Sequence, residues 1–88
     1  MIEVKRKSEN EFIVTVEENG SRTKHVVTLD NEYYEKLTQK KITEEELIKR
    51  SFEFLLKRES KESILSRFNL KVINRYFSEY EAKIRLSS

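Results

Sequence analysis

The dipeptide Asn19-Gly20 constrains the fold of this chain most strongly, because it separates two segments in which apolar and polar residues alternate. Both residues tolerate positive φ, which a two-residue type I′ turn requires, so the pair predicts a β-hairpin. A turn of this length fixes the register and places Glu17 opposite Arg22. The opposite charges of that pair favour the same register.

A further strand is predicted before the hairpin, because the first residues of the chain also alternate. A short loop with Asn10 in the left-handed conformation would place Val4 opposite Val14, on the face to be buried. Ile13 and Val26 pair on the other face, which we expect to meet water. The predicted sheet is a three-stranded antiparallel meander at about residues 1–7, 11–18 and 21–29.

The clearest helix signal covers residues 43–58. Thr43 and Glu46 have the spacing of a capping box, and Ile42 and Leu47 have that of a hydrophobic staple. Acidic residues crowd its first turn and Arg58 lies in its last, which suits the helix dipole. Its apolar stripe predicts that this helix packs on the sheet.

Weaker patterns predict further helices at about residues 31–38, 61–68 and 70–85. Asp30 or Asn31 can cap the first and Ser60 the second, while Asn69 suits a left-handed end to the second. The chain therefore predicts an α+β domain spanning residues 1–88, with three to four helices packed on one sheet face.

Composition excludes several classes of protein. The chain is 36% apolar and 39% charged, but its 18 basic and 16 acidic residues nearly cancel, unlike the composition of a disordered chain. It has no cysteine, which favours a reducing compartment, and no apolar run resembling a signal peptide or a membrane span. We expect a cytoplasmic protein with no membrane partner.

The residues that carry catalysis are scarce. The chain has one glycine, no cysteine and a single histidine, His25, which pairs with Val14 among the core-facing residues. A lone histidine cannot assemble a metal site, and the serines have no evident base. We expect no enzymatic activity, no metal and no cofactor.

The aromatic side chains are numerous for a small domain, and exposed aromatic patches often mark protein interfaces. The predicted interface lies on the C-terminal half and would join two copies in a homodimer, or bind another protein. The alternative is that the helices bury all of these rings. The candidate interface residues are Phe54, Phe68, Tyr76, Phe77 and Tyr80.

An alternative function is nucleic-acid binding through a mildly basic C-terminal helix pair. Arg67, Lys71 and Arg75 would neutralise phosphates, while Tyr76 and Tyr80 could stack on bases.

Residues 61–80 also resemble a helix-turn-helix unit, with Asn69 in the turn. Leu65 stands where a small residue is usual, and Arg75 and Ser78 stand where apolar residues are expected. These departures favour a plain corner between two helices.

Taken together, the runs TLDNEYYEKLTQKKITEEELIKR and SFEFLLKRESKESILSRFNLKVINRYFSEYE resemble a group of short bacterial proteins with a β-hairpin front and a helical back. The resemblance implies a fold and no mechanism, because that group has no assigned activity. A strand meander followed by a helix is also loosely similar to small antitoxin domains such as the HicB group.

Overall fold

Four strands form one mixed sheet in the order β1-β2-β3-β4, in a computed structural model that describes residues 1–85. The strands are β1 (Ile2–Arg6), β2 (Glu11–Glu18), β3 (Ser21–Thr28) and β4 (Arg67–Asn69). The helices are α1 (Asn31–Thr38), α2 (Glu44–Leu56), α3 (Ile73–Tyr76) and α4 (Tyr80–Ile84), with 3-10 turns at Lys61–Ser63 and Leu70–Val72. The predicted α+β class is therefore confirmed.

The hairpin register is as predicted. Asn19 and Gly20 have φ of 54° and 79°, and Glu17 lies opposite Arg22 with carboxylate and guanidinium 3.0 Å apart. The preceding pair is also confirmed, because Val4 lies opposite Val14.

The loop between β1 and β2 closes differently from the prediction. Asn10 is not among the described residues with positive φ, so its left-handed conformation was wrong. Instead the amides of Lys7 and Ser8 both donate to the carbonyl of Glu11, at 2.8 and 3.2 Å. These bonds close the loop without a left-handed residue.

Helix α2 begins as predicted, because the Thr43 hydroxyl accepts from the amide of Glu46 at 3.0 Å. The capping box is only half formed, since the Glu46 carboxylate pairs with Arg50 at 3.0 Å. The helix ends at Leu56, short of the predicted Arg58.

The first helix, α1, lies where the sequence places it, with Asp30 at the N-cap. No cap bond comes from the Asp30 side chain, whose carboxylate lies 3.7 Å from the Lys71 amine. The predicted N-cap position at Asp30 is therefore confirmed, but the predicted hydrogen bond from its side chain to the helix amides is wrong.

The C-terminal third corrects the prediction most. Residues 61–68 were expected to be helical, but only a 3-10 turn forms there, and Ser60 makes no capping bond to it. Arg67–Asn69 is a fourth strand, parallel to β3, so the sheet is mixed and not a three-stranded antiparallel meander. Val26 of β3 donates its amide to the Ser66 carbonyl at 2.8 Å. The chain at β4 therefore supplies hydrogen-bond partners to the edge of β3, which a three-stranded meander would leave unpaired.

The predicted helix at residues 70–85 is also divided. Phe77 is extended (φ −131°, ψ 94°) and separates α3 from α4. The Asn74 side chain accepts from the amide of Glu81 at 3.2 Å, which supports a separate start for α4. Asn69 is extended and its side chain accepts from the Lys71 amide, so its predicted left-handed helix end was wrong.

These corrections remove the helix-turn-helix interpretation, since its first helix is replaced by a 3-10 turn and a strand. Helix α2 instead supplies the centre of the core, with Leu47, Ile48 and Phe52 fully buried. The opposite sheet face carries the predicted Ile13–Val26 pair, half-buried among charged neighbours. Within residues 1–85 none of the helices has the length and hydropathy that crossing a membrane requires.

Candidate protein-binding groove

An apolar groove of about 310 Å³ opens where the end of α2 meets β4 and α3. Its walls are mostly hydrocarbon and aromatic ring, and its polar side-chain groups are one carboxylate and two hydroxyls. The lining residues are Leu55, Glu59, Ser63, Ile64, Leu65, Phe68, Val72, Ile73, Tyr76 and Phe77. We call this surface the α2–α3 groove.

Strand β4 positions the floor of the groove. Its pairing places Phe68 beside Val27, and the Phe68 ring turns inward with its centroid 6.0 Å from that of Phe52. The flanking Arg67 is exposed because successive strand residues point to opposite faces. The groove is therefore attached to the rigid core through the sheet.

His25 holds the loop that forms one rim. Its Nδ1 lies 2.8 Å from the Leu65 carbonyl, and its Nε2 lies 2.9 Å from the Thr23 hydroxyl. A carbonyl only accepts, so Nδ1 carries a proton and donates to Leu65, and in the neutral imidazole Nε2 then accepts from the Thr23 hydroxyl. His25 is 2% exposed, and its ring centroid lies 5.3 Å from that of Phe52. Its side chain therefore holds the loop at Leu65 against the core.

Arg58 lies just beyond the end of α2. Its guanidinium lies 3.6 Å from the centroid of the Phe54 ring, and its Nε lies 3.2 Å from the Glu79 carboxylate. A backbone hydrogen bond and then Arg58 hold the pKa of Glu79 below its usual value. Arg58 thus joins the end of α2 to the start of α4 across Phe54.

The rim carries the exposed apolar side chains. Tyr76 is 69% exposed and Leu65 is 48% exposed, and both line the groove. Phe77 is half-buried, and its ring packs edge-on to that of Phe54 with centroids 6.0 Å apart. This combination of a concave apolar floor and exposed apolar rims is the property that marks binding surfaces.

The candidate interface residues predicted from the sequence divide into two sets. Phe54, Phe68 and Tyr80 are buried, at 7%, 9% and 0% exposure, and of these three only Phe68 also lines the groove, at its floor. Tyr76 and Phe77 remain at the groove. The groove also includes the exposed Leu65, which the sequence analysis did not select.

The candidate nucleic-acid residues are not brought together as a patch of free cations. Arg67 lies 3.5 Å from the carboxylate of Glu11, and Lys71 lies 3.7 Å from that of Asp30. Arg75 is exposed on α3 beside Tyr76.

A polar cluster joins α1 to α4 outside the groove. The Tyr33 hydroxyl donates to the Glu81 carboxylate at 2.9 Å, and the Lys36 amine lies 3.8 Å from the same group. Burial and then the bond to Glu81 raise the pKa of Tyr33 above the ordinary tyrosine value of 10. The cluster links α1 to α4 through the Glu81 carboxylate.

Within residues 1–85 no group of His, Cys, Asp or Glu side chains is arranged to hold a metal ion. His25 is engaged at both ring nitrogens.

The sequence did contain a signal for β4 that was missed. From Arg67 to Val72 polar and apolar residues alternate strictly, which is the period of a strand, and Phe68 and Leu70 are the buried members. Nothing comparable in the sequence indicated that His25 and Leu65 meet, because they are 40 residues apart.

Comparison with models of protein families, with curated proteins and with solved structures found no match to this chain.

Proposed function

We propose that this protein is a small non-catalytic interaction module that associates with itself through the α2–α3 groove. The observation that carries the proposal is the concave apolar surface bounded by the exposed side chains of Tyr76 and Leu65. Burial of such a surface against a second protein removes apolar area from water, which is the main favourable term in association.

The chemistry of the groove supports the non-catalytic part of the proposal. Its polar groups are the Glu59 carboxylate and the hydroxyls of Ser63 and Tyr76, and the Ser63 hydroxyl lies 3.1 Å from that of Ser60 and not from a base. A nucleophile needs such a base to act at neutral pH. The absence of cysteine from the chain supports work in the reducing cytoplasm.

The test is the molar mass in solution, measured by light scattering over a range of protein concentrations. We expect a mass above that of the monomer, and a shift toward the monomer when Tyr76→Ser or Leu65→Ser removes an exposed apolar rim. These side chains are 69% and 48% exposed, so both variants keep the core intact.

Ile13→Thr is the matched control, because it removes an apolar side chain from the open sheet face and keeps a β-branched residue in β2. We expect it to leave the mass unchanged. A monomer at every concentration would overturn self-association, and a loss of association in Ile13→Thr alone would move the interface to the sheet.

The second candidate function is nucleic-acid binding through α3, together with Arg67 and Lys71. The favouring observation is that Arg75 and Tyr76 are adjacent and both exposed, which suits a phosphate contact beside a stacking ring. Gel retardation of single-stranded and duplex probes at low salt tests it. Retardation that weakens with salt and with Arg75→Glu, but not with Arg22→Glu, supports this function, and no retardation at low salt ends it.

A further inference from the structure

We infer that the occupant of the α2–α3 groove is α3 of a second copy, placed by a two-fold axis so that each Tyr76 enters the other groove and each Arg75 faces the partner's Glu59. This inference rests on the proposed self-association and specifies its geometry. Tyr76 and Arg75 of each copy then contact the other copy.

Shape is the first argument. A cavity of roughly 150 Å³ holds a benzene molecule, and the groove has about twice that volume. It can therefore receive the ring of a tyrosine. Tyr76 is the most exposed aromatic side chain of the described chain at 69%, and it stands on the groove's own wall. The surface thus carries both a cavity and a side chain of the kind that fits it.

Charge is the second argument. Glu59 lines the groove just beyond the end of α2, and Arg75 directly precedes the lining residue Tyr76 on α3. Among residues 1–85 neither of these side chains has an ion-pair partner. The neighbouring Arg58 does have one, in Glu79. The groove therefore has an unpaired acidic side chain in its lining and an unpaired basic one beside it.

Symmetry connects the two arguments. In an interface with a two-fold axis, a contact between residue i and residue j of the partner occurs twice. A partner Tyr76 seated between the walls carries its neighbouring Arg75 toward the end of α2, where Glu59 lies. Both copies make the same contact, so Arg75 of each copy meets Glu59 of the other copy. An unrelated peptide has no reason to match this pattern.

The experiment uses two charge reversals in the full chain, Glu59→Lys and Arg75→Glu, with sedimentation velocity as the readout. Each variant alone places like charges opposite each other at both contacts. We expect either reversal to weaken dimerisation by about tenfold or more, because like charges across an interface are strongly unfavourable. An equimolar mixture of the two variants restores opposite charges at both contacts and should recover the wild-type dissociation constant.

The matched controls are Glu17→Lys and Arg22→Glu, which change the net charge by the same amounts on the exposed hairpin. They should leave dimerisation unchanged, alone and mixed. Circular dichroism of each variant verifies folding, and recovery in the mixture shows independently that both chains are folded.

The outcomes separate this inference from the proposed function. A wild-type monomer at all concentrations overturns both. A dimer that is insensitive to the reversals, or one that both reversals weaken but the mixture does not restore, overturns the two-fold arrangement and leaves self-association standing. Weakening by each reversal together with recovery in the mixture supports it.

Discussion

The phenol oxygen of Tyr80 lies 2.7 Å from the hydroxyl oxygen of Ser51, and both side chains are fully buried. Ser51 donates its own proton to the Leu47 carbonyl at 2.8 Å, so Tyr80 is the donor in this bond. The Tyr80 ring also packs edge-on to Phe54, with centroids 5.3 Å apart. The short helix α4 is thereby attached to α2 by one buried hydrogen bond and one aromatic contact.

Replacing Tyr80 by Phe should therefore lower the free energy of unfolding by about 1–3 kcal/mol, because the Ser51 oxygen loses its donor in a site without water access. Urea unfolding followed by circular dichroism measures this change. Tyr76→Phe is the matched control, since Tyr76 is 69% exposed and should show almost no loss. Equal losses in both variants would show that the buried bond contributes nothing to stability.

Alkaline pH should destabilise the fold through its buried tyrosines. Burial raises the pKa of Tyr80 above the ordinary value of 10, and burial with the bond to Glu81 raises that of Tyr33. Above pH 10 the unfolded chain releases these protons while the folded chain keeps them, so stability falls as the pH rises.

Urea unfolding from about pH 8 to about pH 12 measures this effect, and Tyr80 contributes a slope of at most about 1.4 kcal/mol per pH unit. Tyr80→Phe should show a shallower decline than the wild-type protein. A decline of the same steepness in both proteins would exclude Tyr80 as a source of the pH dependence.

Replacing His25 by Phe should cost about 1–3 kcal/mol of stability, because the ring contact with Phe52 is retained while the Leu65 carbonyl loses its donor. The same change should speed amide exchange in β4, whose pairing with β3 begins one residue beyond Leu65 at Ser66. Denaturant unfolding and hydrogen exchange by NMR provide the two measurements.

Thr23→Val is the comparison for that experiment. It removes the bond to Nε2 and keeps the bond between Nδ1 and Leu65. Exchange in β4 should remain slow in this variant. Fast exchange in Thr23→Val and slow exchange in His25→Phe would reverse the assigned roles.

Two residues that look alike in the sequence as helix caps should differ in their effect on stability. Thr43→Ala should cost about 1 kcal/mol, since its hydroxyl accepts from the Glu46 amide at the start of α2. Ser60→Ala should cost clearly less, because Ser60 makes no capping bond to the 3-10 turn after it. Thermal unfolding of both variants makes the comparison, and an equal loss would contradict the structural distinction.

The features that the sequence predicted well are those governed by neighbours along the chain. The type I′ turn at Asn19-Gly20 determines the β2–β3 register within a few residues, and the Thr43 cap determines the start of α2 in the same way. The sequence did not indicate that Phe54 and Tyr80 are buried, because they cover each other from separate helices and Arg58 covers Phe54 from beyond the end of α2.

The dipeptide Asn19-Gly20 and the Thr43 cap show what the sequence by itself determined: the hairpin, its register, the main helix and the α+β class, since local backbone preferences and residue alternation encode them. Only the tertiary structure determined the conformation of residues 61–85. Their apolar spacing fits a helix, but the open edge of β3 offers hydrogen bonds to residues 66–69, and Ser51 offers a buried partner to Tyr80. Such long-range bonds outweigh weak helical preference, and they place Tyr76 and Leu65 at the surface of the α2–α3 groove.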